Sequence, residues 1–184
     1  SLQTASPTAT KLGHRLILQT AASKHWNLVS LDISTAFLQG FDFSHLPKDF
    51  HRQPVAFKPP PDVWDLLCEI EPDNPEWKAA AKNPDAVWEL VKSVYGLKDA
   101  PLMWFVACNA FILELGFKAS RHDPCVYVKH DQAGRLLITL SLHVDDALVT
   151  GVDREIHAFH AALESIFGKC KREEGQFRHF GVDI

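Results

Sequence analysis

The sequence predicts an α+β fold: an antiparallel sheet with helices packed on one face, carrying a Pro-rich insertion. Short apolar runs near 28–33, 125–129, 135–144 and 147–150 have the length and composition of strands. Stretches near 6–26, 101–115 and 153–167 repeat apolar residues three and four apart, the spacing of one helix face. Between 41 and 85 neither period is sustained, and Pro47, Pro54, Pro59, Pro60, Pro61, Pro72, Pro75 and Pro84 crowd together. An antiparallel sheet covered by helices accounts for this order.

The elements follow from local signals. Ser6-Pro7 suits a helix start, with Leu12, Leu16, Ile17 and Ala21 at helical spacing. From Leu28 to Ile33 the chain alternates, placing Val29, Leu31 and Ile33 on one face and Leu28, Ser30 and Asp32 on the other. The segment from Phe41 to about Asp85 reads as loops with short elements, a subdomain or lid between two better-organised parts. Val87–Val94 is strand-like, and a turn at Gly96 follows. Pro101 fits the first turn of a helix whose buried side is Trp104, Cys108, Phe111 and Leu115, with Gly116 as its stop. Cys125–Lys129 and Arg135–Val144 flank Asp131-Gln132-Ala133-Gly134, a hairpin signal. Ala147–Thr150 is the next strand. Asp153 can cap a last helix with Ile156, Phe159, Leu163, Ile166 and Phe167 inward and Gly168 at its end.

Composition narrows the function classes. At 184 residues the chain is long enough for one domain with its own core, and twelve Phe and five Trp supply bulky filling for it. It opens on Ser1 and closes on the strand-like Val182-Asp183-Ile184, so it reads as a piece of a longer polypeptide. The net charge of −4 disfavours a protein that grips nucleic acid unaided. Cys68, Cys108, Cys125 and Cys170 are far apart and form no zinc spacing, which suits reduced thiols in an intracellular protein. His157 and His160 suit a solvated helix face better than a metal site. No signal peptide and no membrane-spanning apolar run is evident.

Two features carry chemical information. Asp32 ends an apolar strand, and Asp145-Asp146 separates two apolar runs. Paired aspartates also occur at ordinary hairpin turns, because Asp tolerates turn geometry. Asp32 tips the balance, since a carboxylate in a covered strand is expensive unless paired or bound to a cation. If the two strands are neighbours, Asp32 and Asp145 converge at one edge of the sheet. Oxygen ligands without nearby His or Cys suit Mg²⁺ or Mn²⁺. Two such ions about 3.5–4 Å apart can clamp the attacking and leaving oxygens of a phosphoryl transfer.

Five blocks in register sharpen this reading. Leu31-Asp32-Ile33-Ser34-Thr35-Ala36-Phe37-Leu38-Gln39-Gly40 resembles the first polymerase motif of copia-type (Pseudoviridae-like) LTR-retrotransposon reverse transcriptases. Ser93-Val94-Tyr95-Gly96-Leu97-Lys98-Asp99-Ala100-Pro101 with Trp104 is similar to a second family block. Leu115-Gly116-Phe117-Lys118 with Asp123-Pro124-Cys125-Val126-Tyr127-Val128 is similar to a third. His143-Val144-Asp145-Asp146 stands where the family has an aromatic residue, Val, Asp, Asp. Phe180-Gly181-Val182-Asp183-Ile184 resembles the strand that closes the polymerase palm.

The resemblance implies that residues 1–184 are a single reverse transcriptase domain, palm with partial fingers, and that 41–86 is a fingers-like insertion. It implies RNA-directed DNA polymerase chemistry at two Mg²⁺ (or Mn²⁺) ions, with Asp32, Asp145 and Asp146 as catalytic residues and metal ligands. Ile33, Ser34, Thr35, Ala36, Phe37, Lys98 and Asp99 would line the nucleotide, with Phe37 under its sugar. Without the motif, Phe37 is ordinary core and Lys98 a solvated surface charge. Implied partners are a template-primer of RNA and DNA, deoxynucleoside triphosphates, and the thumb, ribonuclease H, integrase and protease parts of a Pol polyprotein. Those other parts would hold much of the template grip that this acidic chain lacks. An intracellular place follows, in a cytoplasmic virus-like particle or the nucleus. Three positions depart from the family: His143 for Tyr or Phe, Asp99 for Gln, and Leu102 for Arg. They keep open a degenerate or domesticated palm acting as a non-catalytic binding or structural module. A small RNA-binding sheet domain is disfavoured, because Val126-Tyr127-Val128-Lys129 is the one faint match to its exposed aromatics.

Overall fold

A computed structural model describes residues 6–40, 42–43 and 54–179, with the backbone alone for Pro61, Val182 and Asp183. Helix α1 (Lys11–Lys24) leads into β1 (Leu28–Ile33), followed by a 3-10 turn at Ala36–Leu38. Then come β2 (Ala56–Phe57), α2 (Pro61–Ile70), α3 (Pro75–Ala81), β3 (Trp88–Glu89) and α4 (Ala100–Glu114). The remainder is β4 (Lys118–Ala119), β5 (Val126–His130), β6 (Leu136–His143), β7 (Asp146–Gly151), α5 (Asp153–Phe167), β8 (Cys170–Glu174), β9 (Arg178–His179) and β10 (Val182–Asp183).

Six strands form one antiparallel sheet in the order β4-β5-β6-β7-β1-β8. The chain divides into two units, 1–41 with 93–184, and 42–92. The first holds the sheet. The second contains α2 and α3 and the β2–β3 pair, where Trp88 meets the rings of Phe57 and Trp64 edge-on.

Period-two alternation sorts the sheet residues. Val29, Leu31, Ile33, Leu140, Leu142, Ala147 and Val149 pack against Trp104, Cys108 and Phe111 of α4 and Ile156, Phe159, Leu163 and Phe167 of α5. Leu148 and Val126 face the other way and pack with Ile17 of α1 and Phe177. The expectation of helices on one face is therefore corrected. Apolar residues of both parities need covering, so α1 takes the second face.

Other differences have local causes. Thr10, not Ser6, caps α1, its hydroxyl accepting the Gly13 N–H at 3.0 Å. The buried stripe of α1 is Gly13, Ile17 and Ala21, while Leu12 and Leu16 are 76% and 52% exposed. Ile166 likewise faces solvent. Within the Pro-rich stretch two helices form, each with proline in its first turn, where a missing N–H costs nothing. The strand expected over 87–94 shrinks to two residues. Beside β1 the sheet ends on β8, Cys-Lys-Arg-Glu-Glu, rather than on the 180–184 run. Val182 and Asp183 pair with β9 in a separate ribbon, and Phe180, Gly181 and Ile184 lie outside the described residues.

Candidate active site

The site is built at one end of β1, β6 and β7. Since Leu31 and Ile33 turn inward, the pleat sends Asp32 outward, where it is exposed. The burial expected for this carboxylate is thus corrected: Asp32 belongs to the strand's other face and is exposed. In register, Asp32 stands between Asp146 of β7 and Lys171 of β8. Asp146 in turn pairs with His143 across the β6–β7 hairpin. Side chains at paired positions share a face, so Asp32, Asp146 and His143 are on the same side of the sheet.

Val144 and Asp145 form the two-residue hairpin loop. Val144 has φ of 57°, the positive value that the favoured hairpin turns place at the first loop position. A β-branched residue there is strained, so the surroundings must hold it. Two hydrogen bonds do so. The Trp104 indole N–H donates to the Val144 carbonyl at 2.6 Å, and the Ile33 N–H donates to the Asp145 carbonyl at 3.0 Å. Trp104 is itself immobilised in the core, edge-on to Phe167.

The carboxylates feel one another. Asp146 is pushed up to about 6, first by burial and then by the Asp145, Asp32 and Glu173 carboxylates, with Lys171 opposing. Gathered negative charge of this kind is what a divalent cation relieves. Among the described residues no three His, Cys, Asp or Glu side chains are close enough to hold a metal ion by themselves. Mg²⁺ does not require such a cage, because it is usually held by one or two carboxylates, water and substrate phosphates. An all-oxygen pair such as Asp32 and Asp145 fits that mode.

The remaining predicted residues follow β1 or lead into α4. After β1 the chain turns at Ser34 and at Thr35, which has φ of 56°. The Ile33 and Ser34 N–H groups are engaged with the Asp145 and Lys169 carbonyls. Ala36 is buried. Phe37 is half-buried against the core, its ring 5.3 Å from that of Tyr95. Lys98 is exposed, and Asp99 occupies the N-cap position of α4. Lys171 was not anticipated: β8 has no apolar alternation to mark it. Trp104 is expected from the sequence as a core residue and as part of the second family block, but its hydrogen bond to Val144 is not.

A family described as reverse transcriptase (RNA-dependent DNA polymerase) matches residues 2–182. The chain belongs to this reverse transcriptase family. The resemblance to copia-type reverse transcriptases is thereby borne out. The chain is 31% identical over 182 residues to the retrovirus-related Pol polyprotein from transposon RE2 of Arabidopsis thaliana, covering 99% of this chain and 11% of that protein. It is 33% identical over 153 residues to the retrovirus-related Pol polyprotein from transposon TNT 1-94 of Nicotiana tabacum, covering 83% of this chain and 10% of the relative. The chain therefore spans about a tenth of the length of those Pol polyproteins. No solved structure matches it. No helix among the described residues is long and apolar enough to cross a membrane.

Proposed function

We propose that this chain is the palm of an RNA-directed DNA polymerase, with a fingers-like insertion at 41–86, working within a longer Pol polyprotein. The observation that carries the reading is the register of Asp32 against Asp146, with Asp145 fixed at the hairpin tip beside them. Asp32 and Asp145 are the metal ligands, and Asp146 is the more peripheral third carboxylate. Bound Mg²⁺ or Mn²⁺, two ions in the complete site, would supply an activated primer 3′-hydroxyl and charge neutralisation for the departing pyrophosphate. The turn after β1 receives the triphosphate, through backbone N–H groups at Thr35 and Ala36. Phe37 faces the sugar, and Lys98 is near enough in the chain to the start of α4 to meet phosphate oxygens. Template-primer, deoxynucleoside triphosphates and the thumb, ribonuclease H, integrase and protease parts are its partners, inside the cell.

A second reading rests on His143, Asp99 and Leu102, which depart from the family pattern. In it, the palm has decayed into a binding or structural module. Primer extension by the full-length protein separates the two. Under the polymerase reading, Mg²⁺ supports incorporation of deoxynucleotides on a primed RNA template, and a chelator stops it. Absence of extension with Mg²⁺ or Mn²⁺ by a folded protein would favour the module.

A further inference from the structure

We infer that Asp123 is a positioning residue: its carboxylate splices the Thr8–His14 segment to β5 along the outer edge of β6, and so holds the hairpin that carries Asp145 and Asp146. The inference rests on the polymerase reading of that hairpin.

Asp123 precedes β5 and is buried. One of its oxygens, Oδ2, accepts both the Thr10 N–H and the Thr10 hydroxyl, each at 2.8 Å. The other, Oδ1, accepts the Cys125 N–H at 3.0 Å. A carboxylate taking three donors is a strong, directional junction, and each donor comes from a segment that flanks β6. Cys125 offers its carbonyl to the Leu142 N–H at 2.8 Å, and Ala9 donates its N–H to the Leu142 carbonyl at 3.0 Å. Thr8 then bridges His143 in antiparallel fashion. β6 thus changes neighbours at Leu142, from β5 to the N-terminal segment, and Asp123 ties the two together at the seam. The seam lies three residues before Asp145.

A second contact reinforces it. His14 Nδ1 and the Ser141 hydroxyl are hydrogen-bonded at 2.9 Å, one residue before Leu142. Gly13 records how close the approach is. A Cβ there would sit 2.5 Å from Asp123 Oδ2 and 2.7 Å from Val126 Cγ2. Glycine is a poor helix-interior residue, and this contact explains its presence in α1.

The other edge of the tip is held by β1 through the Ile33–Asp145 bond. Losing the splice would leave the tip held by the Ile33–Asp145 and Trp104–Val144 bonds alone, with β6 loosened on its β5 side. Small displacements of reacting groups cost rate rather than substrate affinity. In Asp123→Asn the amide has a single carbonyl, so at least one of the three donors faces an NH₂ group. Thr10→Val removes one donor, and Gly13→Ala pushes the carboxylate away by a different route.

The test is steady-state primer extension by the full-length enzyme with these three variants. Phe159→Leu, a core change in α5 away from the seam, serves as a control for general loss of stability. Asp145→Asn serves as a control for the site. We expect kcat to fall at least ten-fold in Asp123→Asn and measurably in the other two, with KM for the deoxynucleotide changed less than three-fold. Phe159→Leu should stay within two-fold of wild type at a temperature where all variants are folded. If all three seam variants keep kcat within three-fold of wild type, or lose no more than Phe159→Leu does, the inference is overturned. Should Asp123→Asn not fold, Thr10→Val and Gly13→Ala decide by the same criteria. If Asp145→Asn remains active, the polymerase reading of the hairpin fails instead.

Discussion

Phe37 has two jobs open to it. Its ring rests on the core and on Tyr95, yet it follows Asp32 by five residues, past the turn proposed for the triphosphate. A rigid ring has few rotamers and rejects an added 2′-hydroxyl by a clash. Phe37→Val is expected to raise ribonucleotide incorporation about ten-fold or more relative to deoxyribonucleotide, equivalent to roughly 1.4 kcal/mol in relative transition-state energy. The incorporation ratio and the melting temperature are measured together. A destabilised variant with unchanged sugar discrimination would make Phe37 core only. Residues such as this were legible because they sit in a motif. Lys171 was not, since its place beside Asp32 depends on strand pairing across most of the chain.

At the scale of elements, the β6–β7 hairpin was the most legible part. Two apolar runs separated by two aspartates gave both strands, and positive φ at Val144 follows from the short loop. What holds the loop was hidden, because the Trp104–Val144 bond joins residues forty positions apart. Trp104→Phe keeps an aromatic ring but leaves the Val144 carbonyl without this donor. It is expected to cost about 0.5–1.5 kcal/mol in urea unfolding, the net worth of a typical intramolecular hydrogen bond to a half-buried carbonyl, and to slow extension. A loss under about 0.5 kcal/mol would show that the bond contributes little. The edge strand β8 escaped detection for the opposite reason. Its Lys, Arg and Glu residues protect an exposed sheet edge, and such residues erase the apolar pattern by which strands are found. For α1 the helical period was correct, and Ile17 and Ala21 are buried as that spacing allows, whereas Leu12 and Leu16 are exposed. Gly13 belongs to the buried stripe, and a glycine adds nothing to an apolar count.

For the whole molecule, the α+β class and antiparallel sheet follow from the spacing of runs, whereas the second covered face does not. That face encloses a group of imidazoles. The rings of His143 and His179 lie 6.1 and 5.9 Å from that of His14. His179 is lowered to about 4, first by burial and then by His14 and His143, and the other two are also lowered, chiefly by burial. Between the ordinary histidine range near 6.5 and about 4, the three imidazoles bind more protons in the unfolded chain than in the folded one, with Asp146, raised to about 6, partly opposing them. Stability should therefore be full above that window and fall as pH drops through it. Urea midpoints at pH 7.5 and pH 5 check this, and His179→Gln should reduce the difference. Equal midpoints for the wild type would contradict it.

The central claim is that Asp32 and Asp145 hold the metal for nucleotidyl transfer. The most direct measurement is single-turnover primer extension in Mg²⁺ by full-length Asp32→Asn and Asp145→Asn, with circular dichroism to establish folding. Neither position is buried in the core, so both variants should fold. The account predicts that each loses nearly all extension, at least a thousand-fold, an effect of about 4 kcal/mol. A folded variant of either kind that extends primers within ten-fold of the wild-type rate would contradict it.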